Sequence, residues 1–355
     1  MMLRTFITSA LFLALGALGG WIFAFFPVPL PYMLGSMAAS ALAVAFLPSS
    51  ITQDSKPPVH LRTPFIASIG LLIGAQVHLE TLTSWQPIAI IALMVTLFTP
   101  LAHWLNYRFM QRFGGYDVPT AFFCAAPGGL IEAMTLGERA GANVAILTVQ
   151  QFLRIVLVVT LIPLLMSIWV GHPVGSAAGL SQFSQAASSP LWQIVTVGAV
   201  GYALGLMLRI PAGQLMGPMI FAGLLTSTGW LPLTLPNWLI ILAQIVIGTT
   251  LGLRFNGLSG AIVRRGLILA LGSAAVMLAL GAVLALLITS LADVSLSAAW
   301  LSLAPGGVNE MSLVALSIAA DPALVTLAHV YRIALTVMIM SAWYPRLSRP
   351  LSPRA

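Results

Sequence analysis

The chain has 355 residues, of which 59% are hydrophobic and only 6% charged, with a net charge of +7 at pH 7. Soluble domains carry about 25% charged residues, so a water-soluble globular fold is excluded and a polytopic membrane protein with the lipid bilayer as its main partner is expected. The positive charge falls in loops and at the C-terminus, where it reads as topology information; no helix–turn–helix or zinc-finger pattern is present, so nucleic acid is not an expected partner.

Taken in order, the first half gives six apolar segments at about 5–26, 30–48, 63–79, 85–107, 118–138 and 143–169. The second half gives six more at about 191–209, 212–229, 237–253, 266–290, 296–319 and 322–344. A Gly/Ser/Gln-rich stretch separates them and reads as a linker, so the expected organisation is a first membrane repeat over 1–170, a linker over 171–189, a second repeat over 190–344 and a basic cytoplasmic tail over 345–355. The first segment, with Arg4 before an apolar run, has the look of a signal peptide, but its counterpart at 194–210 lies in mid-chain, so it is read as a span.

The halves are copies. Ala126-Pro127-Gly128-Gly129, Glu132 and Arg154 recur as Ala304-Pro305-Gly306-Gly307, Glu310 and Arg332, all at an offset of 178. Thr148/Thr326 and Leu157/Leu335 keep that offset, and Gly16, Gly19, Pro29, Gly35 and Met37 align with Gly198, Gly201, Pro211, Gly217 and Met219 at an offset of 182.

The loops set orientation. In the first half Lys and Arg occupy the N-terminus (Arg4) and the loops after segments two (Lys56, Arg62) and four (Arg108, Arg112); in the second they follow segments one (Arg209), three (Arg254, Arg264, Arg265) and six (Arg346, Arg349, Arg354). By the positive-inside rule the halves face opposite ways. Inversion requires an odd number of crossings per half, and the Pro-Gly-Gly segments, broken by residues that cannot continue a helix cleanly, are the natural ones to fail to cross. The fold class is therefore all-α, two inverted repeats, each of five transmembrane helices plus one re-entrant, broken Pro-Gly-Gly hairpin. Both termini are then cytoplasmic, in a multi-pass membrane protein.

The candidate binding residues follow from the breaks. Pro127, Gly128 and Gly129, and likewise Pro305, Gly306 and Gly307, open half-helices whose free N–H groups and positive dipole ends suit an anionic substrate near the midplane; the alternative is a packing kink. Glu132 and Glu310 are read as a proton or cation site or as structural acids at helix ends. Arg154 and Arg332 each lie about 11 residues into a helix, roughly 16 Å at 1.5 Å per residue, and are read either as captors of a carboxylate or as partners of the two glutamates. The second copy is the more polar: Ile131, Asn143, Gln151 and Leu153 become Asn309, Asp321, His329 and Tyr331, which adds Asn309, Asp321 and His329 to the site. Gly70-x-x-x-Gly74 and Gly248-x-x-x-Gly252 on the third segments read as close helix packing.

An enzyme is not expected. The five histidines (His60, His78, His103, His172 and His329) form no close pair on a helix face, Cys124 is the only cysteine, and no Walker loop occurs. No metal or cofactor is implied beyond a coupling proton or sodium ion.

Duplicated halves carrying Ala-Pro-Gly-Gly, then Glu, then Arg on the next helix resemble the bacterial AbrB family of membrane proteins, which carries two labels, regulator of the aidB gene and ammonia monooxygenase. The five-plus-hairpin repeat is similar to that of the 2-hydroxycarboxylate carriers, and the family is grouped with bile-acid-type carriers. Those hydroxycarboxylate carriers have Gly-Gly-x-Gly in each hairpin, whereas this chain has Gly128-Gly129-Leu130-Ile131 and Gly306-Gly307-Val308-Asn309. The resemblance implies an elevator-type secondary transporter of the bacterial inner membrane, with a homodimer implied by analogy with elevator-type relatives. The substrate does not carry over from it; the arginines and helix ends point to a small organic anion or metabolite. The alternatives are a membrane-embedded regulator of gene expression acting through a partner or metabolite and, third, a membrane monooxygenase, for which no ligand set is visible.

Overall fold

The computed structural model describes residues 2–52, 59–77, 85–174, 188–257, 260–318 and 320–347. All regular structure among them is helical. The first half contributes α1 (Met2–Phe23), α2 (Pro31–Phe46), the short α3 (Ser49–Thr52), α4 (Val59–Gly74), α5 (Trp85–Gly114), α6 (Val118–Cys124), α7 (Leu130–Arg139) and α8 (Val144–Val170). The second contributes α9 (Leu191–Met207), α10 (Gly213–Ser227), α11 (Asn237–Gly252), α12 (Gly260–Leu291), α13 (Leu296–Leu303), α14 (Val308–Ser317) and α15 (Pro322–Leu347), with a 3-10 turn, Leu253–Phe255, prolonging α11. Among the described residues, five helices are long and apolar enough to cross a bilayer: α5, α8, α11 with its turn, α12 and α15. The expected all-helical polytopic membrane protein is what the chain builds. The segments at 118–138 and 296–319 are each two helices, interrupted at the Pro-Gly-Gly breaks. The loop at 81–84, most of the linker, Lys56, His78, Arg349 and Arg354 lie outside the described residues.

The chain forms two compact units, and neither follows one half of the sequence. The first comprises Met1–Trp85, Thr160–Gly257 and Asn309–Ala323; the second comprises Gln86–Val159, Leu258–Val308 and Leu324–Ala355.

In the first unit, helices from the two halves exchange partners. α4 packs on α9 and α10, and α11 packs on α1 and α2. Glycines make both contacts possible. A Cβ at Gly70 would overlap the Leu215 carbonyl oxygen, and one at Gly74 the Met219 carbonyl oxygen, so α4 lies backbone to backbone on α10. A Cβ at Gly248 would overlap Met33 O, and one at Gly252 Met37 O, so α11 lies on α2 in the same manner. Side-chain-free surfaces of this kind let helices gain dispersion contacts where lipid offers no hydrophobic drive. The same contacts give direction: residue numbers rise together along α4/α10 and along α2/α11, so each pair is parallel. α1/α2 (Gly16 with Ser36, Gly20 with Tyr32) and α9/α10 (Gly201 with Gly217, Gly205 with Gly213) are antiparallel. Arg62 at the start of α4 interacts electrostatically with Arg254 after α11, so those two helices run oppositely. The loops agree: Asn256 Nδ2 donates to Thr52 O at 2.5 Å, joining the ends of α11 and α3, and Ser189 N donates to Thr234 O at 2.9 Å, joining the starts of α9 and α11.

The second unit holds two apolar clusters. In one, α13 (Ala299, Leu303) meets Val95 and Phe98 of α5, Met277 and Ile288 of α12, and Leu324 of α15. In the other, α6 (Phe122, Phe123) meets Met110 of α5, Leu147 of α8, Leu269 of α12 and Met340 of α15. Each half-helix that ends in a break thus has a core of its own, and the long helices α5, α12 and α15 run through both.

Candidate functional site

An α-helix ends with four carbonyl groups that have no partner within it, and at membrane depth each must find one. α6 ends at Cys124, and Ala125, Ala126, Pro127, Gly128 and Gly129 are all buried. Two side chains on α8 meet these orphan groups. Gln151 Nε2 donates to Phe123 O at 2.6 Å, and one turn further on Arg154 Nη1 donates to Ala126 O. The second copy repeats the device on α15. Arg332 Nη1 donates to Ala304 O and, at 3.3 Å, to Leu303 O, while its Nη2 donates to Gly306 O at 3.0 Å. Arg154–Ala126 and Arg332–Ala304 are each 28 residues apart, so the matched arginines hold matched carbonyls.

Both guanidinium groups are buried, Arg154 at 4% exposure and Arg332 at 1%. The Nε atom of each is buried without a hydrogen-bond partner. The two charges lie within electrostatic range of each other. Neither reading offered by the sequence included this arrangement: the arginines hold the main chain at the breaks, and Arg154 forms no ion pair with Glu132. Backbone oxygens leave no mark on a side-chain pattern, which is why spacing alone did not reveal these partners.

Gly129 has φ +61° and caps α7, a conformation that favours glycine. A Cβ there would meet Glu132 Oε2 at 3.3 Å, so the Glu132 carboxylate folds back over the helix start. Glu132 is the third residue of α7, where a negative charge is stabilised by the helix dipole. Glu310 holds the same position in α14. The first break packs against α15, with Gly128 beside Ile333 and Thr336, and Gly129 beside Val337 and Met340. The Thr336 hydroxyl donates to Arg332 O at 2.8 Å.

His329, one turn before Arg332, is fully buried. Its Nδ1 lies 2.9 Å from Val325 O, and its Nε2, near the Ala304 carbonyl, makes no hydrogen bond of good geometry. Pro305, Gly306 and Gly307 form the second break in this unit. Asn309, Glu310 and Asp321 belong to the first unit. There Glu310 is 3% exposed and interacts with Arg254. Asp321 caps α15, its Oδ1 accepting from Ala323 N at 2.9 Å; matched Asn143 does the same for α8, accepting from Ile146 N at 3.2 Å.

Sequence reading passed over three buried polar residues near the first break. His103 on α5 is wholly buried with neither ring nitrogen well bonded, and its ring stacks on Phe122 at 4.4 Å. Asn106 follows it on the same face, with Nδ2 on Ala102 O at 2.9 Å and Oδ1 unpartnered. Gln151 was noted only for its replacement by histidine. The signal that would have found them is a cluster of polar side chains inside apolar helices, which carry a cost unless they face protein.

Comparison with known proteins adds to this picture. The family model described as "Transition state regulatory protein AbrB" matches residues 41–348. "Uncharacterized protein YhjN" of Bacillus subtilis (strain 168) is 24% identical over 356 residues, 94% of this chain and 91% of the relative. "Putative regulator AbrB" of Escherichia coli (strain K12) is 26% identical over 271 residues, 74% of this chain and 77% of the relative. The chain belongs to the AbrB family.

Proposed function

We propose that this AbrB-family chain is a secondary transporter of a small organic anion or metabolite, built as two inverted repeats and working in the cytoplasmic membrane with both termini inside. The observation that carries the reading is the pair of matched breaks, each with its carbonyls held by a buried arginine of its own copy. Scaffold packing alone gives no reason to hold two like charges within range of each other in a low-dielectric interior. A substrate that is an anion gives one.

The inverted arrangement draws support from helix direction in the first unit. α2 is parallel to α11 and α4 to α10, while α4 and α11 are opposed, so α2 and α10, matched segments of the two copies, run oppositely. The re-entrant hairpins, the proton or sodium coupling, the elevator motion and the homodimer are parts of the same proposal. Transport is tested in proteoliposomes with a panel of radiolabelled organic acids, with and without sodium and proton gradients. Arg154→Lys and Arg332→Lys variants that insert and keep wild-type helicity are expected to lose uptake at least tenfold. Full uptake in both removes the proposed site.

A second reading, a membrane-embedded regulator, is favoured by the words "regulatory" and "regulator" in the names of the family and of one relative. Crosslinking in intact membranes followed by purification decides between them. Recovery of a stoichiometric transcription factor supports regulation.

A further inference from the structure

We infer that the two buried arginines form one site for a dianion, with one acidic group of the ligand answering each guanidinium. The inference rests on the anion-binding part of the transporter reading; it does not depend on transport itself.

The argument is a charge ledger of the second unit. Among its described residues Arg154 and Arg332 are the buried charged side chains. The others lie at the surface: Arg108, Arg112, Asp117, Glu138, Arg139, Arg264, Arg265 and Asp293 are exposed, and Glu132 is half-buried over its own helix start. Among its described residues the interior of the unit therefore holds two positive charges and no buried carboxylate. The bonds that the guanidiniums make go to neutral carbonyl oxygens, which satisfy hydrogen-bonding capacity but cancel no charge. A buried ion without a counter-ion is costly, and two of like sign within electrostatic range add their repulsion. A monoanion would answer one of them; a ligand with two acidic groups answers both. Each arginine also keeps one donor in reserve, the unpartnered Nε–H, so a ligand can be bound without releasing the carbonyls that hold the breaks. The duplication explains why there are two: each copy brings one arginine from the same position of its own helix, at an offset of 178.

The experiment uses the purified full-length protein in detergent at constant ionic strength. The probes are propionate, butyrate and valerate against malonate, succinate and glutarate, read by thermal stabilisation and calorimetry. The expected result is saturable binding of at least one dicarboxylate, ten-fold or more tighter than the monocarboxylate of equal chain length, with an optimum spacer length. Arg154→Lys and Arg332→Lys keep the charge but lose the forked geometry, and each should bring dicarboxylate affinity down towards the monocarboxylate level. Because these arginines also hold the breaks, helix content and elution volume are checked for each variant. The wild-type comparison of the two acid series stands by itself if a variant misfolds. Equal binding of matched mono- and dicarboxylates, or no saturable effect from any probe, overturns the inference. Dicarboxylate binding with no uptake in vesicles keeps the site and removes the transporter reading. Uptake of a substrate that the dicarboxylates do not compete with does the opposite.

Discussion

Arg154 and Arg332 hold matched positions but do not carry equal loads. Arg154 holds one break carbonyl, whereas Arg332 holds three. Losing a charged donor costs about 1–3 kcal/mol for each carbonyl left buried and unsatisfied. Arg332→Ala should therefore lower the unfolding midpoint in detergent more than Arg154→Ala, and equal midpoints would contradict the unequal sharing seen here. The glycines divide in the same way. At Gly74 a methyl group would strike Met219 O, which is main chain and cannot yield, so Gly74→Ala should cost about 1–3 kcal/mol or more by overpacking. At Gly198 the obstacle is the end of the Leu71 side chain, 3.2 Å away, and at Gly229 a methyl group would enter open space. Gly198→Ala should be milder, and Gly229→Ala should cost only the strain of φ +72°, about 1 kcal/mol. Denaturant titration of the three variants gives the order directly.

Among the elements, the third helix of each half has its partners in the other half. Neither half can then complete its packing alone. Expressed separately, 1–174 and 188–355 should each be protease-sensitive and aggregate in detergent; co-expressed, they should co-purify as one species. Stable, monodisperse halves would exclude the exchange. Sequence showed part of this. The paired Gly-x-x-x-Gly stretches announced close approach, and the Pro-Gly-Gly breaks fell where α6 and α13 stop, because glycine and proline act through the local backbone. The identity of each helix's neighbour was not legible, since α4 and α10 meet across many intervening residues and any helix with a bare face fits the same pattern. The cap at Asp321 was not legible, because a lone acid looks alike as a cap or as a ligand until its acceptor geometry is seen.

At the scale of the first unit, helix direction sorts the surface chemistry. Trp21 near the end of α1, Trp192 at the start of α9, Trp230 after α10 and Trp238 at the start of α11, all at least half exposed, collect at one end. Arg62, Arg209 and Arg254 collect at the other. By the positive-inside rule, the orientation proposed above has the arginine end in the cytoplasm and the tryptophan end at the opposite interface. In a Cys124→Ser background, Thr228→Cys should react with a membrane-impermeant thiol reagent in intact cells, and Gly257→Cys only after permeabilisation. The reverse outcome turns the orientation over, and labelling of both from one side means that α11 does not cross. The separation of arginines from tryptophans was partly legible in the sequence, because basic residues fall in some loops and not in others. The two units were not readable, because the half-to-half boundary at the linker hides how elements are shared out in space.

The exchange of third helices also has a consequence in time. α4 leaves the ribosome well before α10, the helix on which Gly70 and Gly74 rest. With well over a hundred residues between them and synthesis at about 5–20 residues per second, α4 waits on the order of ten seconds with its glycine face unmatched. During that interval lipid, or the insertion machinery, must stand in for a helix that has yet to be made. Slowing elongation downstream of α4 lengthens the wait, so codon changes in the stretch encoding α5–α8 should reduce the yield of folded protein without altering a single residue.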